Sequence, residues 1–138
     1  MRGIDERFRE GIRDFNNEKF FEAHEILEDL WHEYRETDRT FIQGLIQLAA
    51  GFYHVQCENP KGAFSQLSKG SKKLSEYGPR HLYINVQGLL DQVEPWLTLF
   101  GTAQRSKSVL TTQPVIPRIE TEFASVTVSN KEKRIWQR

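Results

Sequence analysis

The sequence has a single cysteine, Cys57, among its 138 residues. One cysteine excludes an internal disulfide and any zinc site built from several thiolates. Its expected role is that of a small hydrophobe near a helix end. Net charge is also missing, because nineteen Lys and Arg balance nineteen Asp and Glu. A dedicated nucleic-acid binder needs positive charge to meet phosphates, so that class is not expected. No apolar run approaches the ~20 residues that cross a bilayer. The first thirty residues lack the apolar stretch of a secretory leader. Membrane association is therefore not expected, and the expected compartment is the reducing cytoplasm. There is no glycine-rich phosphate loop and no serine or cysteine nucleophile in a recognisable setting, so no cofactor is expected.

What is present is the material of one packed domain. Apolar residues make up 38%, with nine Phe and three Trp, which excludes a disordered chain. At this length, folding buries roughly two-thirds of the chain's surface. Ile4, Phe8, Ile12 and Phe15 form one stripe of a first helix. Asn16-Asn17 breaks it. A second helix is expected from Lys19 to Tyr34 or Arg35, with Phe20, Ala23, Leu27, Leu30, Trp31 and Tyr34 on one face. Glu22, Glu25, Asp29, His32 and Glu33 lie opposite. After a turn at Glu36-Thr37-Asp38, a third helix runs from about Arg39 to Gln56. It is apolar nearly all round, which marks a central helix. Its Gly44 and Gly51 suggest close approach of a neighbour, since each costs ~1 kcal/mol in helix propensity.

Asn59-Pro60 is a helix start, an N-cap followed by Pro at the first helical position. The fourth helix should reach Tyr77, where Gly78-Pro79 stops it. A fifth is expected over 82–100, kinked or restarted at Pro95. The fold expected is all-α, a compact array of about five helices: an N-terminal helix plus two hairpins over 1–100. Residues 101–138 read as an irregular tail, either strapped over the bundle through Ile116, Ile119, Phe123 or Trp136 or partly disordered; 123–128 has the composition of a strand but no partner strand. The basic end, Lys131 to Arg138, reads as solvated. An internal echo runs at offsets of 43 and 44, in which Gln43-Gly44-Leu45-Ile46 recurs as Gln87-Gly88-Leu89-Leu90 and Asn16 as Asn59. It suggests two similar hairpins. Charge is segregated: residues 20–36 net −5 and residues 60–80 net +4. This suggests either complementary solvated faces or a surface for charged partners.

The residues that invite chemistry lie on the 19–57 hairpin. His24, Glu28 and Trp31 are spaced i, i+4, i+7 and share one side of the second helix. His24 falls inside the apolar stripe, about 20° from Trp31. On the third helix Gln43, Gln47 and His54 form a polar line within about 40° of one another, with Ala50 between them. A short turn makes the two helices antiparallel, so His24 should lie near His54 and Glu28 near Ala50 and Gln47. The spacing thus predicts a polar seam of His24, Glu28, Gln47 and His54, with Trp31 beside it.

Three readings of the seam follow. In the first, it is structural: Glu28 accepts from His24, the glutamines satisfy each other, and the network sets helix register. In the second, it is the base of a ligand pocket or protein-binding groove lined by Trp31, Phe52 and Tyr53. In the third, His24, Glu28 and His54 serve a metal-dependent or acid-base enzyme. His24-Glu25-Ile26-Leu27-Glu28 is superficially like the zinc-protease helix, but Glu28 replaces the second histidine. The functional expectation is a non-catalytic domain that binds a protein or small molecule at the hairpin, with the enzyme as the alternative.

Phe15-Asn16, Phe21, His24-Glu25, Glu28 and Trp31, then Gln43-Gly44-Leu45-Ile46-Gln47 with Ala49-Ala50, then Asn59-Pro60-Lys61-Gly62-Ala63, resemble the signature of a small helical family. That family is catalogued as domain of unknown function number 309. The resemblance covers about residues 14–78. It implies a compact helical array like hyaluronidase post-catalytic and tetratricopeptide-like folds, and it implies no activity. Carried over by position, the family's marked residues are His24, Glu28, Trp31, Gly44, Gln47 and Asn59. Gly70 stands where a helix former is expected, which predicts a less regular fourth helix.

Overall fold

The computed structural model describes residues 2–105 and 113–122. Among them the chain folds as a compact all-α array. Its helices are α1 (Arg2–Asn16), α2 (Phe20–Glu33), α3 (Arg39–Gln56), α4 (Pro60–Leu74) and α5 (Val86–Arg105). No helix among the described residues is long and apolar enough to cross a membrane. Consecutive helices pack as neighbours around α3. That helix buries Phe41, Ile42, Leu45, Leu48, Ala49 and Phe52, as its all-round apolarity requires. Phe8, Ile12 and Phe15 of α1 and Phe20, Ala23, Leu27 and Leu30 of α2 complete one side of the core. Trp96 of α5 closes the other side, its ring edge-on to Phe52 with centroids 5.6 Å apart.

The expected fourth and fifth helices need adjustment at their junction. α4 stops at Leu74, and Ser75–Tyr77 continues as one 3₁₀ turn. Residues placed at the start of the fifth helix instead form a small antiparallel hairpin, β1 (Arg80–His81) and β2 (Ile84–Asn85). Leu82 and Tyr83 at its tip both have positive φ, 48° and 65°. This is the backbone of a tight two-residue hairpin turn, in residue types that rarely adopt it. α5 then begins at Val86, capped by Asn85, whose Oδ1 accepts from the Gly88 amide at 2.9 Å. It runs through Pro95 and past Phe100 to Arg105. Pro95 and Asp91 are exposed, so the carbonyl left without a donor is on the wet side of the helix.

The strap is present over 113–122. Ile119 is buried, and Ile116 packs against the core. Two side-chain amides hold it. Asn16 Oδ1 accepts from the Ile119 amide at 2.6 Å while its Nδ2 donates to the Ile119 carbonyl at 3.0 Å. Gln92 makes the same pair of bonds to Arg118, at 2.9 and 3.0 Å. Trp96 Nε1 donates to the Val115 carbonyl at 3.0 Å. Thr121 bridges to Ile84, extending the hairpin by one rung. Phe123, Trp136, the segment 123–128 and the basic end lie outside the described residues.

The helix pairs α1–α2 and α3–α4 are alike, but at an offset other than that of the sequence echo. α1 ends at Asn16 and α3 at Gln56; α2 starts at Phe20 and α4 at Pro60. The repeat is therefore forty residues, with the turns in the same register. Lys19 N–H bonds the Asp14 carbonyl at 2.8 Å, and Asn59 N–H bonds the His54 carbonyl at 2.8 Å. Glu18 and Glu58 share positive φ, 61° and 58°. Gly11 faces Leu27 as Gly51 faces Leu67. The echo at 43 and 44 compares residues in different structural positions.

Gly70 does not disturb α4, which is continuous. A Cβ there would lie 2.8 Å from the Gly44 carbonyl oxygen, so Gly70 and Gly44 let the two helix backbones touch. The cap of α4 is as expected: Asn59 Oδ1 accepts from the Gly62 amide at 3.1 Å. Lys19, in the matching position before α2, makes no side-chain cap. Asn59→Ala is expected to lower stability by about 1 kcal/mol, and Lys19→Ala by less than about 0.5 kcal/mol. Urea titration of the two variants checks the difference.

Candidate functional site

The side chains expected at the seam come together. His24, Glu28 and Trp31 of α2 face Gln43, Gln47 and His54 of α3 across an open cleft of about 270 Å³. The antiparallel packing of two helices joined by a short turn is sufficient to bring them there. Ile46 and Ala50 complete the floor, and Gln66 of α4 contributes to the far wall. Phe52, expected to line a pocket, is instead fully buried in the core. Tyr53 is exposed at 37%, with its ring 5.3 Å from that of Phe21, itself 43% exposed.

The polar groups do not form the self-satisfied network of the first reading. His24 Nε2 stands 3.8 Å from Glu28 Oε2, beyond hydrogen-bond reach. Gln47 Oε1 accepts from Lys73 Nζ of α4 at 2.9 Å, not from another glutamine. His54 Nδ1 lies 3.2 Å from Asn59 Nδ2. The Asn59 amide is oriented by its cap, with Oδ1 on Gly62, so Nδ2 is the donor. His54 Nδ1 must accept, which places the ring proton on Nε2. Among the described residues, the side chains of Gln43 and Gln66 bond to no protein group. The cleft therefore presents donors and acceptors that are open to water or to a ligand.

Trp31 has a different set of contacts. The Arg39 guanidinium lies over its ring, 3.6 Å from the centroid. Arg39 Nε also donates to the Trp31 carbonyl at 3.2 Å. Among the described residues, Trp31 Nε1 is buried without a hydrogen-bond partner. One face of the indole is thus occupied by a cation, and the residue as a whole forms a wall of the cleft.

The turn between α2 and α3 holds a second polar group that sequence reasoning missed. Tyr34 Oη donates to Asp38 Oδ1. His81 Nε2 of β1 is 3.5 Å from Asp38 Oδ2, with its ring against Phe41 and Tyr77 at 4.6 and 4.7 Å. Burial, then the bond to Asp38, pushes the Tyr34 hydroxyl well above the ordinary tyrosine range, so it stays a donor. These groups brace the turn against the hairpin.

Gln66 and Lys73 were also unmarked in the sequence. They are seven residues apart and share one side of α4, about 20° from each other. That was the available signal, but a solvated helix face offers many such pairs. Among the described residues, no three His, Cys, Asp or Glu side chains are grouped to hold a metal ion. No serine or cysteine lines the cleft. Cys57 caps the end of α3 but is exposed, not packed as a small hydrophobe.

The fold and site define a class: an all-α array of helical hairpins with a polar cleft over its third helix. Residues 8–65 match the model of the family described as "Domain of unknown function (DUF309)", the family that the hairpin motif resembles. The match takes in every cleft residue of α2 and α3 and stops one residue before Gln66. No curated protein matches the chain.

Proposed function

We propose that this is a non-catalytic domain that binds a small polar ligand in the cleft over α3. The observation that carries the reading is the open hydrogen-bonding capacity of the cleft walls. Glu28 has no hydrogen bond from His24, and among the described residues Gln43 and Gln66 have none from a protein group. A ligand that meets these groups replaces water with fixed partners, as in small-molecule sites that set a few polar groups among apolar walls. The volume, about 270 Å³, is at the small end for such sites and suits a ligand of few heavy atoms. A reducing cytoplasm is the proposed compartment, in keeping with the free, exposed thiol of Cys57.

Neutral polar fragments screened by amide resonance shifts test the reading. Shifts are expected to cluster on the side-chain amides of Gln43, Gln47 and Gln66. They should vanish in Ala50→Trp, which fills the floor of the cleft from a half-buried position. A library that leaves those resonances unmoved at millimolar concentration would overturn it. A protein partner is the second reading, favoured by the exposed Phe21 and Tyr53 rings beside His24 and His54. That reading expects a Phe21→Ser variant to weaken partner binding while fragment shifts persist.

A further inference from the structure

α2 and α4 carry opposite charge on the faces they turn outward. α2 holds Glu22, Glu25, Glu28, Asp29 and Glu33 and no Lys or Arg. α4 holds Lys61, Lys69, Lys72 and Lys73 and no Asp or Glu. Some of these charges are already engaged. Glu28 lines the cleft, and Glu33 bonds Arg7 of α1, whose charge Asp29 also feels. Lys73 is held by Gln47, and Arg39, the other cation near the cleft, lies over Trp31. Two outward stripes remain. Glu25 and Asp29 are exposed about 40° apart around α2, on the side away from buried Ala23 and Leu27. Lys61, Lys69 and Lys72 are exposed within about 80° of one another on α4, away from buried Ala63 and Leu67. Among the described residues, none of these five side chains is in an ion pair.

α2 and α4 each pack on α3 and each supply a wall of the cleft, so they lie side by side on one surface. Both are antiparallel to α3 and therefore run the same way. They are also level: Phe21 lies against Tyr53, at 5.3 Å between centroids, and Gly62 lies against the ring of His54. Two copies can stack this surface about a two-fold axis in the plane of contact. With the axis across the helices, α2 meets α2 and like charges oppose. With the axis along the cleft, α2 of each copy meets α4 of the other, and each stripe meets its opposite. We propose that the protein forms this second arrangement, a symmetric dimer of the chain with itself. Residues forty apart are level, so Asp29 faces the partner's Lys69, and Glu25 lies between the partner's Lys61 and the partner's Lys69. The zero net charge of the chain removes overall repulsion between copies and leaves the stripes to orient them. The mouths of the two clefts then face each other, and each copy roofs the other's cleft. The proposal goes beyond the ligand reading and does not depend on it.

The test is sedimentation equilibrium of the full chain, with two charge-reversed variants. Exposed ion pairs are individually weak, so the expected dimer is reversible, with a dissociation constant on the order of 0.1 mM at low salt. Raising the salt from about 0.05 to about 0.5 M is expected to weaken it at least about tenfold. The variant Glu25→Lys with Asp29→Lys has two basic faces, and the variant Lys69→Glu with Lys72→Glu has two acidic ones. Each alone is expected to be monomeric. All four positions are exposed, and circular dichroism checks that both variants keep the fold. Mixed one to one, they are expected to pair with each other about as tightly as the unaltered chain pairs with itself, because both contacts are again complementary. A chain that stays monomeric at millimolar concentration and low salt overturns the proposal. So does a dimer indifferent to salt and to both variants, which is held by another surface. Growth beyond the dimer overturns the two-fold, and a mixture that stays monomeric overturns the pairing of α2 with α4. The ligand reading is judged separately, from fragment shifts at Gln43, Gln47 and Gln66 in the monomeric variants.

Discussion

Replacing Trp96 by alanine is expected to destabilise the protein by about 3–5 kcal/mol, the range for removing a large aromatic ring from a packed interior. Trp96 is fully buried, against Phe52 at 5.6 Å and Phe100 at 5.8 Å between ring centroids. The loss has two parts. Removing the ring opens a cavity between α3 and α5. Removing Nε1 frees the Val115 carbonyl and one tie of the strap. Trp96→Phe separates them, because it keeps most of the packing and loses the bond, at a cost nearer 1 kcal/mol plus the smaller ring's packing loss. Urea unfolding at unchanged slope measures both variants. Hydrogen exchange at Ile119, whose amide is held by Asn16, shows whether the strap loosens with them. An alanine variant that loses less than about 1 kcal/mol would show that α5 collapses freely onto α3, contrary to the close packing described.

Gly70→Ala is expected to move stability in the direction opposite to helix propensity. In an open helix interior the change stabilises by roughly 1 kcal/mol. Here the new Cβ would lie 2.8 Å from the Gly44 carbonyl oxygen and 3.1 Å from the Leu48 amide nitrogen. Both are backbone atoms of α3, with no rotamer to yield, so α3 and α4 must move apart. Overpacking of this kind costs about 1–3 kcal/mol. Gly101→Ala is the control, because its Cβ would meet only the edge of the Phe64 ring at 3.5 Å, an ordinary contact. That variant is expected to keep the propensity gain. Equal stabilisation of the two variants would mean that the α3–α4 contact adjusts without strain.

The elements that the sequence showed best were those with chemical punctuation at their ends. α3 was expected from Arg39 to Gln56 and is found there, because its apolar surface is continuous and turns flank it. The cap at Asn59-Pro60 was equally plain. Residues 82–85 were expected to open the fifth helix, although Leu82, Ile84 and Val86 alternate with the period of a strand. Leu82 and Tyr83 carry positive φ that neither residue type announces. The forty-residue repeat was hidden for a related reason. It is conserved in backbone geometry, in the turn bonds and the Gly–Leu contacts, while most side chains at matching positions differ.

His24, Glu28 and Trp31 on one helix and Gln43, Gln47 and His54 on the next were determined by sequence alone. Helical periodicity sets which side chains share a side, and a short turn sets how two neighbours pair. The third wall of the cleft was a tertiary result. Gln66 sits on a helix whose polar residues are too many to single out, and it reaches the cleft because Gly44 and Gly70 let α4 press against α3, where Lys73 bonds Gln47. Whether the polar line closes on itself or stays open was likewise decided only in three dimensions. A hydrogen bond depends on tenths of an ångström, and the 3.8 Å between His24 and Glu28 is a distance that helical spacing permits but does not specify.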